Sequence, residues 1–481
     1  MGFHFHLRHG LPALFLLVSA TAQAQLPAAL EEALMRARVP ASAVAFLVVD
    51  AQDAKAAARL QHRSEAPMQA ASVMKLFTTY AALDLLGPAF SWSTPVYIDG
   101  PVRDGTLSGN LYIQGQGDPQ LVMERLWLLL RRVQSLGITR ISGDIVLDNS
   151  AFWVPDQDPA AFDGEPLRPY NARPEALLIN YKSIVMTFTP EPAGRLARVQ
   201  YDPPLWGVQT QDTVALSGGA CNDYRASLKA DFSDPLRIRF GGALPASCGE
   251  KVWPIAYVDP ASYAPRAVQG LWRSMGAGLD GSARWGTVPA KLLEAKPLLE
   301  WRSPPLAEVV REINKYSNNV MAQQVFLTLG REGGSGTARA EQSRAVLQKW
   351  WEARIGSEDA PLVDNGAGLS RSERVSARAL GLLLQHAYRS PLMPELMASL
   401  PISGIDGTLT RSKARAAGSA HLKTGSILGV NAIAGYVDAA SGKRYALVAV
   451  INHANAPAAR PVLDALVDWA AQDQSIFYEP H

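Results

Sequence analysis

Three short polar motifs stand far apart in this chain, and the chemistry they carry requires any fold to bring them to one place. They are Ser72-Val73-Met74-Lys75, Ser317-Asn318-Asn319 and Lys423-Thr424-Gly425. Together they read as one acyl-transfer site: a serine nucleophile with an amine base, a polar relay for a proton, and a cationic strand for a substrate carboxylate. Singly, each has an ordinary structural explanation: a helix cap beside a surface lysine, a cap at a helix junction, an edge-strand lysine next to a turn glycine. Their rarity argues for the joint reading. Of 12 lysines, only Lys75 follows a serine by three residues, and only Lys423 precedes Thr-Gly or Ser-Gly. The middle motif is less exclusive, because Ser108-Gly109-Asn110 also fits. That copy lies between Asp104-Gly105 and the strand-like Leu111-Tyr112-Ile113 and reads as a hairpin turn.

The flanking residues predict where each motif sits. Leu76 to Leu86 reads as a largely buried helix stopped by Gly87-Pro88. Positions i and i+3 share a helix face, so the Lys75 amine reaches the Ser72 hydroxyl in the first turn, where unpaired N–H groups favour developing negative charge. Leu306 to Tyr316 is amphipathic and Val320 to Leu329 apolar, which puts Ser317 and Asn319 at a helix–helix junction. Lys423-Thr424-Gly425-Ser426 opens an antiparallel hairpin whose arms are Ala432 to Val437 and Tyr445 to Ile451. Gly425, lacking a side chain, leaves room for substrate along the strand edge.

The 481 residues suffice for more than one domain. A net charge of +2 with no basic block gives no sign of nucleic-acid binding. Residues 1–24 read as an export signal: Arg8 among histidines, an apolar run from Leu11 to Ala20, and Ala22-Gln23-Ala24 as the cleavage site, so the mature chain is expected to begin at Gln25 in the periplasm. No apolar run is long enough for a transmembrane anchor. In an oxidising compartment Cys221 and Cys248 are expected to form one disulfide, two free buried thiols being the alternative. A Ser-His-Asp design finds no Gly-x-Ser-x-Gly elbow. Neither a His-Glu-x-x-His motif nor a Cys/His cluster occurs, so no metal or other cofactor is expected.

Ser42 to Val49 reads as a buried strand. An early strand and the Ser72 helix must therefore share a site with motifs beyond residue 300. This predicts a discontinuous catalytic domain, 25–92 plus 292–481, interrupted by inserted domains over 93–291. The insertion is mixed: a helix within Pro119 to Ser135, a strand from Ile141 to Leu147, and strands at Ile184 to Phe188 and Arg237 to Phe240 in a strand-rich part around 184–260. Gly115-Gln116-Gly117 lacks the third glycine of a dinucleotide site and reads as a turn. Asp144 and Asp148 read as turn residues, and His421 as a strand residue beside the Lys-Thr-Gly motif.

With these motifs the chain resembles the penicillin-binding proteins and serine β-lactamases. The large insertion after the Ser-x-x-Lys helix narrows this to the D-alanyl-D-alanine carboxypeptidase/endopeptidase group, the low-molecular-mass class C penicillin-binding proteins. Gly115-Gln116-Gly117-Asp118-Pro119, Ser142-Gly143-Asp144, Asp364 to Arg371 and Gly404 to Leu409 are similar to that group, with Ala367 where the group has serine. The resemblance implies an α/β (α+β) fold whose catalytic domain has an antiparallel sheet between helices. It implies that Ser72 attacks the carbonyl between two terminal D-alanines, with Lys75 as general base. Ser317 passes the proton to the leaving amine and Asn319 binds the substrate. Lys423 and Thr424, on the strand with Gly425 and Ser426, hold the terminal carboxylate, and Ser72 and Ser426 N–H groups form the oxyanion hole. The implied substrates are peptidoglycan stem peptides, with β-lactams as covalent inhibitors. The alternatives are a β-lactamase, and a non-catalytic wall-binding or β-lactam-sensing protein.

Overall fold

The computed structural model describes residues 2, 26–192, 194–334 and 336–474. The export segment read at 1–24 lies, residue 2 apart, outside them. Among the described residues no helix is long and apolar enough to cross a membrane.

The ends of the chain build one sheet. Its strand order is Ala420–Ile427, Val430–Asp438, Arg444–Asn452, Val44–Asp50 and Leu60–His62, antiparallel throughout. Alternate residues serve two cores. Val44, Phe46 and Val48 pack with Leu447, Ala449 and Ile451 under the helices Ala28–Ala37 and Arg460–Ala471. Ala45 and Leu47 pack with Ala446, Val448 and Val450 against Lys75–Leu86, Asn319–Glu332 and Ala377–Arg389. A sheet covered on both faces needs apolar residues at every position, which is why these strands read as unbroken apolar runs. Each such buried Val, Leu, Ile or Phe contributes roughly 1.5–3 kcal/mol, enough in sum to tie the early strand to the last hairpin.

Among the described residues, four further sheets lie between these halves, the smallest being the pair Ala230–Asp231 and Arg239–Phe240. One has the order Ala283–Trp285, Ile145–Asp148, Leu111–Gln114, Ser93–Ile98, Leu299–Arg302; another is Ala243–Pro245, Thr213–Ser217, Leu196–Asp202, Ser183–Pro190, Lys251–Ala256. A four-stranded sheet of two-residue strands adjoins them. Ile113, Leu129, Phe188 and Trp272 belong to one shared core, into which the helices Met123–Ser135 and Pro260–Ser274 pack. Cys221 and Cys248 form a disulfide across 27 residues of this part.

Two local expectations are corrected here. The run Ile141 to Leu147 is two strands, Arg140–Ile141 and Ile145–Asp148, in different sheets. The break falls at Gly143, where a Cβ would lie 2.6 Å from the Gly109 carbonyl oxygen. Asp144 then turns outward to accept from Ser282 N (2.9 Å) and Arg284 Nε (2.6 Å), a turn role as expected. Ser108-Gly109-Asn110 is no hairpin turn, since Thr106–Leu107 and Leu111–Gln114 also lie in different sheets. The hairpin is one step earlier, at Asp104-Gly105, between Val102–Arg103 and Thr106–Leu107.

Candidate active site

The nucleophile motif starts in a tight 3-10 turn, Ala71–Met74, that runs into the helix Lys75–Leu86. Ser72 thus sits just before the α-helix rather than in its first turn. The helix is apolar all round, with Leu76, Phe77, Tyr80, Ala81 and Leu83 at 1% exposure or less. Lys75, itself fully buried, has no route by which its amine can reach water. Its Nζ contacts Ser72 Oγ (2.9 Å), Asn319 Oδ1 (2.6 Å) and the Ala367 carbonyl oxygen (2.5 Å). A neutral amine has two N–H donors and one lone pair. Two of these contacts are pure acceptors, so in the neutral state both protons are spoken for, and the lone pair falls on the Ser72 hydroxyl.

The second motif is shaped by a reversal of the chain. The helix Leu306–Tyr316 ends at Ser317, which adopts a left-handed conformation (φ 58°, ψ 37°) uncommon for a residue with a side chain. Asn318 then caps the helix Asn319–Glu332 by accepting from Met321 N (3.1 Å). The turn lets both flanking side chains face the cleft: Asn319 reaches Lys75, and Ser317 Oγ accepts from Lys423 Nζ (2.9 Å). Lys423 also donates to the Thr424 carbonyl (2.8 Å), and the Thr424 hydroxyl pairs with Thr408 Oγ1 (2.7 Å). The stretch carrying Thr408 is anchored by the ion pair of Asp406 with buried Lys315 (2.5 Å).

Gly425 also has a packing role that its spacing did not suggest. A Cβ there would lie 2.2 Å from the Ala70 carbonyl oxygen, 3.0 Å from Val73 N and 3.1 Å from Ser72 N. Its bare Cα lets the strand press against the nucleophile turn. Ser426, the next residue, is exposed on the strand. His421 is half-buried two residues before Lys423, and its burial lowers its pKa.

The electrostatics favour a neutral base. Burial, and then the Lys423 ammonium, hold the Lys75 amine well below the ordinary lysine range, with Glu373 opposing. Burial brings Lys423 down from 10.5 to about 7. A base lowered on folding binds fewer protons in the native state, so stability rises with pH between its native and unfolded pKa. As pH falls from about 10.5 to about 7, the native state is expected to lose stability on account of Lys423. Denaturant melts of Lys423→Met across that window should show a shallower slope, and an unchanged slope refutes a buried titrating amine.

Three contributors were missed by sequence reasoning. Tyr170, in the region between the halves, accepts from Asn319 Nδ2 through its carbonyl (3.2 Å). Phe162 lies under the Arg371 guanidinium at 4.8 Å, and Arg371 donates to the Leu428 carbonyl (3.0 Å). Only the fold brings residues 162–170 to the cleft. The third is Glu373, at 1% exposure, whose carboxyl burial pushes up to about 7. Ala367, the departure from the family pattern, is fully buried and serves through its carbonyl, which its side chain does not alter.

Comparison with known proteins supplies the context for this cleft. A family model described as the D-Ala-D-Ala carboxypeptidase 3 (S13) family matches residues 26–473. A D-alanyl-D-alanine carboxypeptidase of Actinomadura sp. (strain R39) is 31% identical over 421 residues, which cover 82% of this chain and 75% of that protein. The crystal structure of penicillin-binding protein 4 from Haemophilus influenzae superposes with a TM-score of 0.72 at 22% identity, covering 92% of this chain and 99% of that one. The same protein complexed with a novel β-lactam gives a TM-score of 0.68 at 21% identity, over the same shares of the two chains.

Proposed function

The chain belongs to the D-Ala-D-Ala carboxypeptidase 3 (S13) family, is a serine-type D-Ala-D-Ala carboxypeptidase, and from that premise we propose that it hydrolyses the terminal bond of peptidoglycan stem peptides through an acyl-Ser72 intermediate. The observation that carries this reading is the Lys75 amine, sealed from water and bonded so that its lone pair faces Ser72 Oγ.

In the proposed reaction Lys75 takes the Ser72 proton as Oγ bonds to the carbonyl between the two D-alanines. The N–H groups of Ser72 and Ser426 bind the oxyanion. Ser317, on the Lys423 ammonium, gives its hydroxyl proton to the leaving D-alanine amine as the C–N bond breaks and takes in its place the proton that Lys75 had removed from Ser72. Lys423 and Thr424 hold the terminal carboxylate, Gly425 keeps their strand against the nucleophile, and Asn319 binds the peptide. Water then hydrolyses the ester. The same steps on a cross-linked D-alanine would make the protein an endopeptidase, and a β-lactam would acylate Ser72 as a mimic of the peptide. We place the reaction in the periplasm, after cleavage behind Ala24. We also assign residues 25–92 and 292–481 to one catalytic domain and 93–291 to inserted domains.

Incubating the mature protein with benzylpenicillin and weighing it tests the site, with Ser72→Ala as control. A lasting adduct of one drug mass, absent from the control, together with D-alanine release from a stem pentapeptide, is the expected result. Consumed drug without an adduct would instead make the protein a β-lactamase. Intact drug and intact pentapeptide would leave a wall-binding role.

A further inference from the structure

Glu373 is enclosed behind the cleft, and the steps above give it no part. Its Oε1 accepts two backbone N–H groups, from Asp364 (2.9 Å) and Asn365 (3.2 Å). Asn365 extends the clamp: its Oδ1 accepts from Ala367 N (3.0 Å) and its Nδ2 donates to the Leu369 carbonyl (2.8 Å). From the nucleophile helix, Thr78 Oγ1 donates to the Gly366 carbonyl (2.7 Å). Gly366 and Gly368 have φ of 72° and 77°, and a Cβ on Gly368 would lie 2.0 Å from the Ala71 carbonyl oxygen. The segment from Asp364 to Leu369 is thus a tight turn pressed on the Ser72 turn, and its product is the Ala367 carbonyl aimed at Lys75.

We infer that Glu373 is a positioning residue for the acyl-transfer base: it clamps this turn so that the Ala367 carbonyl takes one proton of the Lys75 amine and the lone pair stays on Ser72. The inference rests on Lys75 being the base. Without the clamp the amine loses an acceptor in a place water does not reach. It then satisfies its proton by donating to Ser72 Oγ, which turns the lone pair away from the proton it must take.

Charge acts the other way. The groups facing Glu373 are Lys75 and Asp364, and Asp364 is itself tied to Arg344 (3.6 Å). The groups facing Lys75 are Lys423, which disfavours its ammonium form, and Glu373, which favours it. Glu373 therefore aims the amine and, as a lesser influence than burial and Lys423, raises the pH at which the amine gives up its proton.

Two variants separate these effects. Glu373→Gln keeps the acceptor and removes the charge; Glu373→Ala removes both. Acylation by benzylpenicillin is expected to fall about 100-fold in the alanine variant, the lower end of what a positioned base contributes. In the glutamine variant it should stay within about tenfold of wild type. The acid limb of its kcat/KM profile should move to lower pH, because losing the nearby negative charge lowers the Lys75 pKa. A carbon-13 titration of the Lys75 Cε reads the same pKa without turnover. A folded alanine variant that is acylated at the wild-type rate overturns the inference; if that variant does not fold, a folded glutamine variant that loses about 100-fold overturns it instead, since its acceptor is intact. A wild-type protein that neither releases D-alanine nor forms an adduct removes the base reading itself, whatever the Glu373 variants do.

Discussion

Replacing Lys75 with methionine is expected to cost nearly as much acylation rate as replacing Ser72 with alanine, and the double variant no more than either. The reason is that the two groups act as one. Ser72 Oγ is a weak nucleophile until its proton has somewhere to go. The acceptor at hand is the Lys75 lone pair at 2.9 Å, held there by Asn319 and Ala367. Groups that work as a unit show such non-additivity, and losses on the order of 10⁶ in rate are the scale for removing either member. Stability should move the other way. The amine is fully buried, and burial disfavours its charged form, so a methionine of similar length removes a desolvation cost. Rates of adduct formation and thermal melts on the three variants check both halves. Losses that add in the double variant would mean that another group takes the proton from Ser72.

Gly425→Ala is the second large effect. It adds one methyl to a strand whose backbone needs no glycine conformation, so the consequence comes from contact alone. That methyl would lie 2.2 Å from the Ala70 carbonyl oxygen and about as close as packing allows to the Ser72 and Val73 nitrogens. Either the strand or the nucleophile turn must retreat. Overpacking of this kind typically costs 1–3 kcal/mol. The retreat also pulls Ser72 N–H and Ser426 N–H apart, where the oxyanion would bind, and a misplaced ångström there is expected to lower acylation by about 100-fold. Benzylpenicillin acylation together with a melt decides it. A variant with wild-type rate and melting temperature would show that the turn has slack, and would return Gly425 to a role along the substrate edge.

Much of this cleft was legible in the sequence because its parts are local. Ser72 and Lys75 are three residues apart on one turn, and a helical spacing alone puts amine near hydroxyl. The same holds for Ser317 and Asn319 on either side of a reversal, and for Lys423 at the head of a hairpin. The apolar runs Ser42 to Val49 and Tyr445 to Ile451 read as strands, and both are strands of the sheet. The errors came where backbones meet across long separations. The run from Ile141 to Leu147 carries an adequate strand pattern, but Gly143 meets Gly109 and breaks it. The packing of Gly425 on the Ala70–Val73 turn was likewise hidden, because that turn lies some 350 residues earlier.

By itself, the sequence determined which functional groups the site owns and in what local order, since propensity, capping and i,i+3 spacing act within a few residues. Tertiary structure alone decided their state and their aim. Lys75 is a buried amine of lowered pKa rather than a surface cation because the packed helices exclude water from it, and desolvation is a property of the assembled core. Ala367 and Tyr170 reach the cleft, and Glu373 its rear wall, from segments that no short-range pattern links to Ser72, because a hydrogen bond depends on distance in space and leaves no periodic mark along the chain.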